Sequence, residues 1–141
     1  MHILVIPSEL YLPIKLPMAG IFQQHHVELL HEYGYQVGVI SAGLIPFTYN
    51  FRSFPYLHIE ITKAATIYRK YHRVFIPGRF AFKYLDEFIL GEYIRLFNKY
   101  LKSVGRPDII HAHNSIDAGV VAKRLKKTHN IPYVITEHSS L

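Results

Sequence analysis

The chain has 141 residues, 50% hydrophobic and 18% charged, one domain's worth of sequence and enough to bury roughly 70% of the surface its unfolded form exposes. No apolar run approaches the ~20 residues that span a bilayer, and Ile3 to Ile6 follow Met1 and His2 directly, without a charged leader or a segment of signal-peptide length; a cytoplasmic protein is expected. The absence of cysteine excludes disulfides and thiolate metal sites.

In chain order, His2 to Ile6 is a short apolar run closed by Pro7-Ser8, which reads as a buried strand. After an irregular stretch containing Pro13 and Pro17, Phe22, His26, Leu29, Leu30 and Tyr33 recur at helical spacing. They predict a helix from about Ala19 to Tyr33, ended by Gly34. Val37 to Ile40 is a second buried strand, completing a strand, helix, strand unit with a right-handed crossover. Leu57, Ile59 and Ile61 alternate with polar residues, the period of a half-exposed strand, and Thr66 to Ile76 adds one or two more. The stripe Leu85, Phe88, Ile89, Leu96, Phe97, Tyr100, Leu101 and Val104 predicts the longest helix, about Phe82 to Val104, with Gly105 and Pro107 as its stop. Asp108 to Ala112 is the next strand and Ser115 a plausible helix N-cap. Ala118, Val121, Ala122 and Leu125 form a helix's inner face, and Pro132 to Thr136 is the last strand. The alternation implies an α/β fold: a Rossmann-like, doubly wound, mainly parallel sheet.

The charge is uneven. Between Ser41 and Lys83 stand seven basic residues (Arg52, Lys63, Arg69, Lys70, Arg73, Arg79, Lys83) against Glu60 alone, which accounts for the whole net charge of +6, and the same stretch holds ten of the twenty aromatic residues. Basic groups interleaved with rings suit an anionic lipid surface, a phosphorylated acceptor or nucleic acid; a solvated loop over packed aromatics is the plainer reading. No recognised nucleic-acid module accompanies the charge, so no nucleic-acid partner is expected.

Two strands open abruptly into histidine and small polar groups: Ile109-Ile110-His111-Ala112-His113-Asn114 and Thr136-Glu137-His138-Ser139-Ser140. In an open α/β sheet the crevice beyond the carboxyl ends of the strands holds ligands. Side chains alternate along a strand, so His111 and His113 share a side, with His113 nearer the crevice. His111 reads as a core histidine, His113 and His138 as site residues. These histidines with Glu137 could coordinate a divalent metal, but no HExxH or other spaced motif supports it, and no metal is expected. Gly20 opens the first helix, where amides and the helix dipole favour a phosphate. Neither GxGxxG nor GxxxxGK[ST] occurs, which leaves dinucleotide binding and a P-loop without support.

Leu4-Val5-Ile6-Pro7-Ser8, Ala19-Gly20-Ile21-Phe22, Pro107 to His113 and Ile131 to Ser140, in this order, resemble the N-terminal domain of family 4 glycosyltransferases over nearly the whole chain. The resemblance implies a GT-B architecture, two Rossmann-like domains facing across a cleft, of which residues 1–141 are the acceptor-side half, incomplete and without the C-terminal donor-binding domain. It implies transfer of a sugar from a nucleotide sugar to a polysaccharide or glycolipid acceptor with retention of configuration, of hexosyltransferase type, without metal or other cofactor. Gly20 would lie near the donor diphosphate, and His113 would contact the transferred sugar as the catalytic residue. Asn114, Glu137, His138 and Ser139 would line the substrate cleft. Residues 41–83 would face a lipid-linked acceptor at an anionic membrane, peripherally at its inner face. The family's paired glutamates, eight positions apart, have no counterpart among the glutamates of this chain, so these residues alone are expected to be inactive. The other reading is a non-catalytic nucleotide- or sugar-binding module.

Overall fold

A computed structural model of the chain describes residues 1–11, 21–46, 57–74 and 82–137, the side chains of 46, 73–74 and 82–85 excepted. Gly20, His138, Ser139 and Ser140 lie outside the described residues, as do Arg52 and Arg79. The elements are β1 (His2–Ile6), α1 (Ile21–Glu32), β2 (Gln36–Pro46), β3 (Leu57–Ile61), β4 (Thr66–Val74), α2 (Phe82–Ser103), β5 (Ile109–His113), α3 (Ala118–His129) and β6 (Tyr133–Thr136). They form one six-stranded sheet in the order β3-β4-β2-β1-β5-β6. Every neighbouring pair is parallel except β3 with β4. This is the Rossmann-like, mainly parallel arrangement that the alternation of elements implies.

The strand order decides where a ligand can sit. From β1 the chain steps outward through β2 to β4, then returns to the other side of β1 for β5 and β6. The reversal falls between β1 and β5, and the crevice at such a switch point opens beyond the carboxyl ends of the two strands. There the pairing of Ile6 with Ala112 sets Pro7 and Ser8 beside His113.

Two cores flank the sheet. Leu4, Ile6, Ile40, Tyr68, Ile110 and Ala112 pack with α2 and α3, burying Leu96, Phe97, Tyr100, Val121, Ala122 and Leu125. Ile3, Val5, Val37, Val39 and Ile67 pack on the opposite face against Val27 of α1. Alternation along each strand sends one residue to each core, which is why Ile3 to Ile6 of β1 are all apolar. Gly38 of β2 serves a close approach: a Cβ there would stand 1.9 Å from the Tyr100 hydroxyl. That hydroxyl is hydrogen-bonded to His2 Nε2 in the interior.

Gly34 and Gly105 take positive φ of 81° and 110°, as expected of residues that stop helices. Two readings need correction. The inner face of α1 is not the stripe Phe22, His26, Leu29, Leu30, Tyr33: Phe22, Leu29 and Tyr33 are exposed, and the buried residues are Gln23 and Val27. Apolar residues on both sides of this helix leave its rotation to the packing against β1 and β2. Ser115 is not the cap of α3 either. Asp117 occupies that position without a side-chain cap bond, because Asn114 supplies the turn instead. Its Oδ1 accepts from the Ile116 N–H at 2.7 Å and its carbonyl oxygen accepts from the Gly119 N–H at 2.9 Å.

Candidate functional site

The register Ile3↔Ile109 and Val5↔His111 puts Ile109, His111 and His113 on the α1 face of the sheet, since Ile3 and Val5 pack against α1. The two imidazoles do share a side: their rings stack with centroids 4.5 Å apart and planes at 29°. From α1 the His26 ring meets both edge-on, at 4.7 Å from His111 and 5.2 Å from His113. Phe22, one turn earlier, stands edge-on to His113 at 6.0 Å. His113 is 0% exposed, so the ring lies at the carboxyl end of its strand but under the first turns of α1. The alternation places His113 at the crevice end of its strand, and the packing of α1 over β5 covers the ring there.

His111 is half-buried and its Nε2 is hydrogen-bonded to the Thr136 hydroxyl at 2.7 Å, across the β5–β6 pair. Asn114 leaves the strand with φ 83°, in the left-handed region that asparagine tolerates better than most residues. Its N–H donates to the Thr136 carbonyl at 2.9 Å, and its Oδ1 is engaged in the turn before α3. Glu137 is exposed, and its Oε2 accepts from the Ser115 N–H at 3.0 Å. Asn114 and Glu137 thus knit the ends of β5 and β6 together beside His113. Residues Gly20, His138 and Ser139 lie outside the described residues.

Sequence reasoning passed over two neighbours of this place. His26 was read only as one of a helical stripe, and nothing local says that it meets His111 and His113. Gln23 is fully buried in α1, and its Nε2 donates to the Ser8 hydroxyl at 2.7 Å, tying the helix to the end of β1. Its Oε1 has no hydrogen-bond partner among the described residues, which leaves an acceptor at the switch point that a ligand hydroxyl could satisfy.

Burial sets the protonation of the phenols elsewhere in the fold. It pushes the Tyr11 hydroxyl up to about 12 against the lowering effect of Arg69, and the Tyr93 hydroxyl up to about 12 likewise. Tyr71, raised further by burial, shares a 2.9 Å hydrogen bond with Ser41 Oγ. These phenols are neutral hydrogen-bonding groups at neutral pH. Burial also lowers the His2 imidazole, against smaller raising effects from the Arg106 backbone and Asp108.

The basic segment is partly spent inside the fold. Arg69 is 3% exposed; its Nε donates to the Tyr11 carbonyl and its guanidinium pairs with Glu60 at 2.5 Å. Lys70 pairs with Glu92 of α2, which is also bonded to His72 and Arg95. These cations face carboxylates rather than forming an open basic surface. A cavity of about 280 Å³ lies between α1 and the β3–β4 pair, lined by Tyr11, Gln24, Glu28, Glu60 and Arg69 among others. Of the residues singled out from the sequence, Glu60, Lys63 and Arg69 of the charged segment line it.

The sheet with its switch point between β1 and β5, and polar groups gathered at the ends of β5 and β6, define a Rossmann-like domain of the ligand-binding kind. The family model for Glycosyltransferase Family 4 matches residues 20–141, and the chain belongs to that family. It is also 28% identical, over 152 aligned residues, to a Bacillus subtilis (strain 168) protein named as a teichuronic acid biosynthesis glycosyltransferase, TuaC. That similarity covers 99% of this chain and 36% of the relative, so the chain spans about a third of the length of the protein it matches. Among the described residues, no helix is long and apolar enough to cross a membrane.

Proposed function

We propose that this chain is the acceptor-side domain of a retaining glycosyltransferase that moves a sugar, of hexose type, from a nucleotide sugar to a polysaccharide or glycolipid acceptor. The observation that carries the reading is the position of His113 at the carboxyl end of β5, beside β1, where the strand order of a family 4 domain reverses. The teichuronic acid assignment of the Bacillus relative supports a cell-surface polysaccharide as product.

In this reading His113 lies beneath the crevice, and its contact with the transferred sugar requires the first turns of α1 to shift off the ring. Phe22 and His26 exclude water around it, and the Gln23 carboxamide accepts a hydroxyl hydrogen bond. Asn114 and Glu137 hold the β5–α3 and β6 ends in register. Most of the rate then comes from positioning and from stabilising the departing diphosphate, near Gly20 and in the second domain. His138 and Ser139, outside the described residues, are assigned to substrate binding in the same reading. No cofactor takes part, and the protein works in the cytoplasm, peripherally at the inner face of the membrane.

The test uses the full-length protein. His113→Ala, His113→Gln and wild type are compared for turnover of nucleotide sugars in the presence of a membrane extract as acceptor. The expected result is a loss of at least ~100-fold in both variants, the size of effect seen on removal of a group that acts on the reacting centre, with circular dichroism showing both to be folded. Equal turnover by folded variants and wild type would remove His113 from the reaction. Transfer by residues 1–141 alone would overturn the division of labour between two domains.

A further inference from the structure

We infer that His26, His111 and His113 form a binding site for a late first-row divalent cation of the zinc class. One ligand-capable nitrogen from each ring lies within 4.8 Å of the others. Three imidazoles in mutual contact are an odd way to fill a sheet face otherwise built from Ile3, Val5, Val37, Val39 and Ile109, since burying polar rings costs free energy that aliphatic side chains avoid.

The chemistry of the donor set fits. Neutral imidazole suits zinc, copper and nickel, and three histidines with one open position are a known catalytic ligand set for zinc. Zinc–nitrogen bonds of about 2.0–2.1 Å put tetrahedral ligand atoms roughly 3.4 Å apart, so the three nitrogens need to close by at most ~1.5 Å. Torsion about χ2, which is broad for histidine, supplies that movement and also brings the stacked His111 and His113 planes to converge. Each ring has two nitrogens, so one can keep an existing hydrogen bond while the other meets the metal. The His111 Nε2 bond to Thr136 Oγ1 is of the kind that acts from behind a ligand, orienting its ring while the other nitrogen meets the ion. Phe22 beside His113 gives the site an apolar wall, and His26 brings a ligand from α1 to the two on β5.

An ion bound here holds the His113 ring. If that ring serves the transferred sugar, a part of the inference that rests on the proposed function, the cation inhibits transfer rather than supporting it.

Calorimetry with zinc chloride on the purified metal-free protein tests the site. Wild type is expected to bind one ion per chain. His25→Ala, at an exposed position on the same helix, is expected to leave that affinity intact and so controls for surface histidines. His26→Ala is expected to weaken it at least ~100-fold, and Thr136→Val, which removes only the group behind His111, roughly 10-fold. Circular dichroism checks that each variant is folded; if His26→Ala is not, Thr136→Val decides. Cobalt in place of zinc is expected to show the visible bands of tetrahedral coordination in wild type and not in His26→Ala. Equal affinities across the set, or no binding at millimolar zinc, overturn the site while leaving the transferase reading intact. Binding at the site with full transferase activity in saturating zinc overturns the inhibition and removes His113 from contact with the sugar.

Discussion

Glu92 has no exposed surface, yet three basic side chains reach it: Lys70 and His72 from β4 and Arg95 one turn along α2. Burial alone would raise its pKa. The hydrogen bonds from Lys70, His72 and Arg95 together outweigh that and hold the carboxyl at about 2, against an ordinary 4.5. At ~1.4 kcal/mol per pKa unit, such a drop corresponds to about 3 kcal/mol of folding stability. Removing one partner of a buried ion pair costs ~3–5 kcal/mol by mutational experience, so two independent routes give the same size. Glu92→Gln should therefore lower stability at pH 7 by about 3 kcal/mol, or roughly 10 °C in Tm, because Lys70, 15% exposed, keeps its position without a counter-charge and the carboxylate shared with His72 and Arg95 is lost. The sign with pH follows from the depressed value. Above pH ~5 the carboxylate is ionised in both folded and unfolded chains and its contribution is complete. As pH falls from ~4.5 toward 2 the unfolded chain takes the proton first, and the contribution drains away. Urea denaturation at pH 7, 4 and 3 reads both effects. A Gln variant within 0.5 kcal/mol of wild type at pH 7, or one that loses stability as steeply as wild type between pH 4.5 and 3, would refute the assignment of this network as a stabilising ion cluster.

Two further outcomes follow. Gly38→Ala should destabilise by ~1–3 kcal/mol, since the new methyl meets the fully buried Tyr100 hydroxyl at 1.9 Å and its ring at 2.4–2.7 Å; adding Tyr100→Phe should relieve part of the loss. An unaffected melting curve for Gly38→Ala would show that the ring moves freely. Membrane contact through residues 41–83 predicts co-sedimentation with vesicles containing anionic lipid that declines with salt, and equal binding to neutral vesicles would end that idea. Arg69 and Lys70 already face Glu60 and Glu92, so the contact must draw on other basic residues of the segment.

How much of the site could be read in advance differs residue by residue. The strand-to-polar transition at His113-Asn114 and the shared side of His111 and His113 follow from local alternation, and both appear in the structure. The family follows from motifs spread along the chain, and the match to residues 20–141 bears it out. The covering of His113 could not be read this way, because it depends on which side of the sheet α1 crosses and how that helix is turned. Apolar residues on several faces of α1 left its rotation ambiguous, and the stripe through Leu29 and Tyr33 was the wrong choice. The role of Asn114 in place of Ser115 was missed because a side chain that accepts within a turn and a helix cap look alike in a run of small polar residues.

Sequence alone determined the elements and their order, the stops at Gly34 and Gly105, and the period-2 pattern that pairs one core residue with one on the opposite face, because these depend on side chains a few positions apart. Tertiary structure decided the rest. Only the register of β5 on β1 put His111 and His113 under α1, only packing turned His26 toward them, and only the pairing of β4 with β2 beneath α2 delivered Lys70 and His72 to Glu92. Contacts between residues tens of positions apart are fixed by strand order and helix rotation, which the whole core selects at once and no local pattern encodes.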